Sequence, residues 1–182
     1  MQDVVNIALS RKHGRRKISD VEYLVVHRTI GASVEDSIAE FRNVEQFAAG
    51  FYTGGLYPYH FFVQPGQVYQ CLPLTVNAPA ALSTLNRRGI HIALLGDFRK
   101  TAPISLHIMQ LKQLLTTLTN CFNGKTQIIG HTEQSTASKD PNKICPGKLL
   151  DLNDVRSYVS LNQSNLCELS PEAGLKRAGF VV

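Results

Sequence analysis

The 182-residue chain predicts an α/β fold, a mixed central β-sheet flanked by α-helices. Three observations carry this expectation. Apolar, largely β-branched stretches at 22–27, 90–95 and 127–129 alternate with stretches whose apolar residues recur at helical spacing. Gln64-Pro65-Gly66-Gln67, a proline-glycine turn between two further strand-like stretches, predicts a β-hairpin within the same sheet. A hydrophobic share of 43% against a charged share of 18% suffices for one core that forms without disulfides.

Taken in order, Glu22 to His27 (EYLVVH) reads as a buried strand ending at a histidine. Ser33, with Asp36 three positions on, approaches a capping box for a helix of about four turns that carries Ile38, Phe41, Val44 and Phe47 towards Gly50. Phe51 to Pro58 contains Gly54, Gly55 and Pro58 and reads as a loop. Tyr59 to Val63 and Val68 to Cys71 are the arms of the hairpin. Asn77 to Arg88 has little periodicity and is expected to wrap the surface, and Ile90 to Leu95 is a strand closed by Gly96. Ser105 is the expected N-cap of a helix with Leu106, Met109, Leu114, Leu115, Leu118 and Phe122 on its inner side, ending near Asn123-Gly124. Gln127 to Ile129 is a short strand that stops at Gly130-His131. Cys145-Pro146-Gly147 precedes a helix over 152–159, and Ser170-Pro171-Glu172 opens a last short helix. The expected organisation is a basic N-terminal extension (1–20), one domain (21–160), and a C-terminal linker with a short helix (161–182).

The net charge of +5 is partly concentrated in Arg11, Lys12, Arg15, Arg16 and Lys17. Such a segment fits an anionic partner, among them anionic wall polymers, or a solvated tail with no specific partner. A specific nucleic-acid role is disfavoured, because no aromatic residue interleaves with those charges and no helix-turn-helix or RNA-recognition signature follows. The N-terminus, MQDVVNIALSRKHGRRK, places a short apolar stretch before the positive charges, the reverse of a secretory signal. No apolar run approaches the roughly 18 residues of a transmembrane segment. The chain is therefore expected to be cytoplasmic as synthesised, with any export by another route. Cys71, Cys121, Cys145 and Cys167 are far apart and form no CxxC pair, so at most one is expected to carry chemistry and the rest to be buried or incidental thiols.

The candidate chemistry gathers at three positions: His27 at a strand end, His131 just past another, and Cys145 in the following loop. Zinc favours imidazole and thiolate ligands, and a catalytic site takes three from the protein while leaving a fourth position open. On the residues alone a structural role for the histidines stands beside this reading, since the three are widely spaced and no compact motif ties them together. A cysteine hydrolase with Cys145 as nucleophile and His131 as base is a further reading. Pro146 argues against it, because proline has no N–H to serve as the adjoining oxyanion donor.

The segments VVHRT, YHFFV, GIHIALLGDF, IIGHTE and KICPG, in this order, resemble the type 2 N-acetylmuramoyl-L-alanine amidase family of T7 lysozyme and peptidoglycan recognition protein-like zinc amidases. The resemblance implies the mixed-sheet fold of that family and one catalytic zinc held by His27, His131 and Cys145. It implies a peptidoglycan or muropeptide substrate, cut at the amide between the lactyl group of N-acetylmuramic acid and L-alanine. In catalytic members a tyrosine opens the YHF segment and a lysine stands two residues before the third ligand, which here are Tyr59 and Lys143. Recognition proteins that bind wall fragments without cutting typically lack the cysteine ligand and this pairing, so an enzyme is favoured over a non-catalytic muropeptide-binding module. Lys143 is expected to stabilise the oxyanion of amide hydrolysis, and Tyr59 to orient water or donate to the same intermediate. A phage endolysin released by a holin, a recycling amidase and an effector delivered by a secretion system all suit a chain without a secretory signal.

The pattern departs from the family in places. Arg28 follows His27 where a histidine or small polar residue is common, and is expected either to point into solvent or to contact an anionic substrate group. Asn77-Ala78-Pro79-Ala80 replaces a Trp-His or Ser-His element, and His91 stands where relatives usually have glycine. His91 is expected to be a packed core histidine and His60 to make a structural hydrogen bond. His13 and His107 have no partner pattern in the sequence.

Overall fold

The structure is a computed structural model that describes residues 14–29, 59–78, 80–81, 83–133, 144–164 and 170–182. The helix expected at 33–50, the loop at 51–58, and Arg11, Lys12, His13, Lys143 and Cys167 lie outside the described residues. Five strands, β1 (Tyr23–Arg28), β2 (Phe61–Gln64), β3 (Gln67–Gln70), β4 (Gly89–Leu94) and β5 (Gln127–Gly130), form one sheet in the order β3-β2-β4-β1-β5. β1 runs parallel to both β4 and β5, and β2 runs parallel to β4. The hairpin partner β3 is antiparallel, so the sheet is mixed, as the sequence predicts. The helices are α1 (Ser83–Arg88), α2 (Ser105–Cys121), α3 (Leu152–Leu161) and α4 (Pro171–Arg177).

Alternation along each strand divides the side chains between two faces. Leu24 and Val26 of β1, Phe61 and Val63 of β2 and Ile90, Ile92 and Leu94 of β4 point one way, into a core shared with Leu111, Leu115 and Leu118 of α2, Val155 and Val159 of α3, and Leu175 of α4. The other face of the same strands carries Val25, Phe62 and Ala93, packed in two smaller apolar groups with Leu85 and Ile129 or with Cys71, Leu72, Ala78 and Leu95. That second face also carries His27 and His91.

Three expectations are corrected here. Leu106 and Met109 are 40% and 49% exposed, and the inner stripe of α2 is His107, Leu111, Leu114, Leu115, Leu118 and Cys121. His107 sets this phase: its Nε2–H donates to Val63 O at 2.7 Å, which gives one nitrogen of a buried polar ring a partner at a position where apolar periodicity looks only for a hydrocarbon. The residue before the helix is Ile104, without a side-chain cap, and Ser105 is the first helical residue. The stretch expected to wrap the surface contains α1, whose Leu85 is buried.

α1 ends on a buried cation. Arg16 Nη1 donates to Gly89 O at 2.6 Å and Arg87 O at 3.2 Å, and Nε donates to Leu74 O at 2.8 Å. The bonds to Arg87 O and Gly89 O satisfy carbonyls at and just past the helix C-terminus, with the charge sign that the helix dipole favours. At the far edge of the sheet, Val181 is tied to Gln70 through Val181 N–H to Oε1 at 2.9 Å and Nε2–H to Val181 O at 2.8 Å. Asp151 and Ser170 accept hydrogen bonds from the first turns of α3 and α4 respectively, a sufficient local reason for each helix to begin there. No helix among the described residues is long and apolar enough to cross a membrane.

Candidate metal centre

The parallel pairing of β1 and β5 aligns Val26 with Gly130, so the residues that follow, His27 and His131, emerge side by side at the C-terminal ends of the strands. Their ring centroids are 4.6 Å apart. The loop after β5 returns Cys145 to the same place, with Sγ 3.9 Å from His27 Nδ1. One ligand atom from each of His27, His131 and Cys145 lies within 4.8 Å of the other two, a group that can hold a metal ion.

Backbone chemistry brings the cysteine in. Thr132 brackets it: its hydroxyl donates to Cys145 O at 3.0 Å and accepts from Cys145 N–H at 3.1 Å, and Thr132 N–H also donates to Cys145 O at 3.2 Å. Gly130 permits the approach, because a Cβ there would lie 2.9 Å from Pro146 Cδ and 3.2 Å from Cys145 O. Gly147, at φ +122°, passes so close to the next loop that a Cβ would meet Phe98 C at 2.5 Å. Leu149 N–H then bonds Phe98 O at 3.0 Å and fixes the crossing. Glu133 accepts from Gly130 N–H at 2.9 Å and pairs with Arg156 of α3, tying the turn around His131 to the helix layer.

Burial dominates the electrostatics of the three groups. Burial, with the charges of His91, His131 and His60 adding to it, pushes His27 well below the ordinary imidazole range, and burial also lowers His131. Both are neutral near pH 7, the form that binds metals. Burial pushes the Cys145 thiol up, while a backbone hydrogen bond from Arg28 and the charges of Arg28 and Arg99 act the other way. A cation placed between the three would favour the thiolate directly.

Tyr59 stands beside the group, its ring 5.0 Å from that of His27 and edge-on to Phe62 at 5.4 Å. Arg28 does not point into solvent: it is 7% exposed, lies 3.3 Å from Asp97 Oδ1 and donates from Nε to Ile144 O at 3.3 Å. The expectation that it points into solvent is overturned, because a buried guanidinium requires a paired carboxylate and Asp97 supplies one. His91 is fully buried, with Nδ1 2.9 Å from His27 Nε2 and Nε2 3.1 Å from Leu85 O. Burial pushes its pKa down to about 3. His60 accepts at Nδ1 from His91 N–H at 3.0 Å and lies with Nε2 2.9 Å from Val76 O. Thr132, Asp97 and the contact between His91 and His27 are absent from the sequence reading, although each sits in a segment already singled out, IIGHTE or GIHIALLGDF.

Comparison with known proteins agrees with this fold. No curated protein matches the chain. Among solved structures, the N-acetylmuramoyl-L-alanine amidase LysC from Clostridium intestinale URNW superposes with a TM-score of 0.66 at 17% identity, over 90% of this chain and 100% of that one. The Ph2119 endolysin from Thermus scotoductus MAT2119 bacteriophage Ph2119 gives 0.64 at 22% identity, over 81% of this chain and 89% of its own. Drosophila PGRP-LB gives 0.64 at 18% identity, over 90% and 94%. At these identities the likeness is one of fold. The model of the N-acetylmuramoyl-L-alanine amidase family matches residues 17–148, which contain the five strands, His27, His131 and Cys145, and the chain belongs to that family.

Proposed function

We propose that the chain is a zinc-dependent N-acetylmuramoyl-L-alanine amidase, hydrolysing the amide between the lactyl group of N-acetylmuramic acid and L-alanine of the stem peptide. The observation that carries the reading is the convergence of His27, His131 and Cys145 at the C-terminal ends of β1 and β5, in a chain of this family. Two imidazoles and a thiolate form a donor set known for catalytic zinc, and tetrahedral ligands at zinc distances stand roughly 3.5 Å apart. The 3.9 Å between Cys145 Sγ and His27 Nδ1 fits that spacing. Held by His27, His131 and Cys145, a zinc ion would supply Lewis acidity, able to polarise a carbonyl and to make water a stronger acid.

The rest of the chemistry belongs to the chain. Water adds to the lactyl carbonyl carbon, the C–N bond breaks, and the L-alanine nitrogen leaves with a proton. Negative charge gathers on the carbonyl oxygen in between. Lys143, assigned from its place two residues before Cys145, stabilises that oxygen with a mobile ammonium. Tyr59, beside the His27 ring, donates its phenolic hydrogen to the same oxygen or orients the attacking water. The exposed Arg15 and Lys17 give the surface a positive charge suited to anionic wall polymers.

Two features disfavour a thiol mechanism: the raised pKa of the Cys145 thiol, and Pro146, which offers no N–H to an oxyanion. A soluble N-acetylmuramoyl peptide separates the readings. Release of the free L-alanyl amine should stop when metal is stripped and resume with added zinc; activity that survives chelation would refute the zinc reading. Saturable binding with no amine released by the zinc-loaded protein would assign it to the recognition proteins instead.

A further inference from the structure

We propose that His91 is the positioning residue of the metal centre, setting the tautomer and ring orientation of His27 so that Nδ1 is presented to the ion. The inference rests on reading His27, His131 and Cys145 as a metal centre. In the register of the parallel strands β1 and β4, Val25 pairs with His91 and His27 with Ala93, so the two histidines are diagonal neighbours on one face. Both are buried, at 1% and 0% exposure, where the neutral imidazole is favoured.

The protons can then be assigned one by one. Leu85 O, 3.1 Å from His91 Nε2, can only accept, so Nε2 carries the hydrogen. A neutral imidazole has one proton, and His91 Nδ1 is therefore an acceptor. The atom 2.9 Å from it is His27 Nε2, which must donate. The single proton of His27 is thereby placed on Nε2, and Nδ1 is left with its lone pair on the side of Cys145 Sγ, 3.9 Å away. Histidine ligands ordinarily donate their second N–H to a carboxylate, a carbonyl or water; here a second imidazole takes that place and passes the bond on to a backbone carbonyl.

His91 is itself held in place. His60 stacks on it, with centroids 5.9 Å apart and planes 11° from parallel, and accepts its backbone N–H. Gly89 keeps open the space where the ring meets the carbonyl, since a Cβ there would lie 2.7 Å from Leu85 O and 3.1 Å from His91 Nε2.

The test uses the whole chain and two variants. His91→Phe keeps a ring but removes the acceptor, and His91→Asn returns an acceptor oxygen near the position of Nδ1. Nitrogen-15 NMR of the metal-free protein should find His27 protonated on Nε2 in the parent. Zinc affinity, measured by competition with a chromophoric chelator, should fall roughly 10–100-fold in His91→Phe and recover substantially in His91→Asn. A parent His27 protonated on Nδ1, or a folded His91→Phe with parental zinc affinity, would overturn the proposal. If His91→Phe does not fold, the parent tautomer and the affinity of His91→Asn decide, and a full loss of affinity in a folded His91→Asn would also overturn it. A parent chain that binds no zinc would refute the metal reading itself, whatever tautomer the NMR finds.

Discussion

Asp97 and Arg28 meet beneath the candidate metal centre, with Arg28 Nη1 3.3 Å from Asp97 Oδ1 and both side chains buried. Arg99 completes the group, donating from Nε and Nη2 to the two carboxylate oxygens at 2.7 and 2.6 Å. The trio joins the end of β1 to the loop after β4, and Arg28 Nε reaches Ile144 O, next to Cys145. A salt bridge therefore helps to locate a candidate metal ligand.

The first prediction concerns acid. The Arg99 hydrogen bonds, with the Arg28 charge adding to them against the cost of burial, lower the Asp97 pKa from 3.8 to about 2. A depressed folded-state pKa stabilises the fold above the unfolded-state value, near 3.8, and that contribution is lost as pH falls through about 2. It amounts to about 2 kcal/mol at neutral pH. Urea denaturation should show stability falling between these two pH values, with a shallower fall in Asp97→Asn. At pH 7 that variant should be destabilised by about 2–4 kcal/mol, because Arg28 remains buried without its counter-charge.

Thr132 makes a narrower prediction. Thr132→Ala removes the two side-chain hydrogen bonds that bracket Cys145, each worth about 0.5–1.5 kcal/mol. Zinc affinity should fall about tenfold by chelator competition. Thr132→Ser, which keeps the hydroxyl, should bind like the parent; equal affinity in all three proteins would show that Cys145 is held by other means.

The two close-approach glycines should differ in kind. Gly147→Ala forces a Cβ against the Phe98 backbone at a positive φ, and thermal unfolding should show a loss of about 1–3 kcal/mol or more. Gly130→Ala pushes on Pro146 and on the Cys145 carbonyl, so its larger effect should be on zinc affinity. An alanine at 130 that leaves metal binding untouched would mean that the Cys145 loop has room to move.

Tyr59→Phe and Lys143→Ala should each lower turnover by about 10²–10³, as loss of an oxyanion donor does elsewhere, with zinc still bound at one ion per chain. Steady-state kinetics beside metal analysis checks both. Turnover close to that of the parent would remove the residue from the catalytic assignment.

Much of this architecture is legible in the sequence, for identifiable reasons. Largely buried strands such as 22–27 and 90–95 are short apolar runs, and a Pro-Gly pair marks the hairpin; ladder pairing shifts their ends by only a residue or two. The metal candidates sit at strand ends or in a strand-following loop, where parallel pairing brings distant segments together. What escapes is polar burial. His107 occupies an inner position of α2 and rotates the expected stripe away from Leu106 and Met109, Arg16 leaves the basic segment to cap α1, and Arg28 finds Asp97. Each depends on a hydrogen-bond partner distant in sequence, which periodicity does not encode. α1, six residues long, is too short for a helical period to register.

The measurement that bears most directly on the central claim is digestion of purified sacculi by the metal-stripped protein before and after zinc is restored, with released fragments identified by mass spectrometry. The account predicts free stem peptides beginning with L-alanine, absent after stripping and regained with zinc. Intact sacculi under both conditions, with the protein bound to them, would contradict it and leave a recognition module in place of an enzyme.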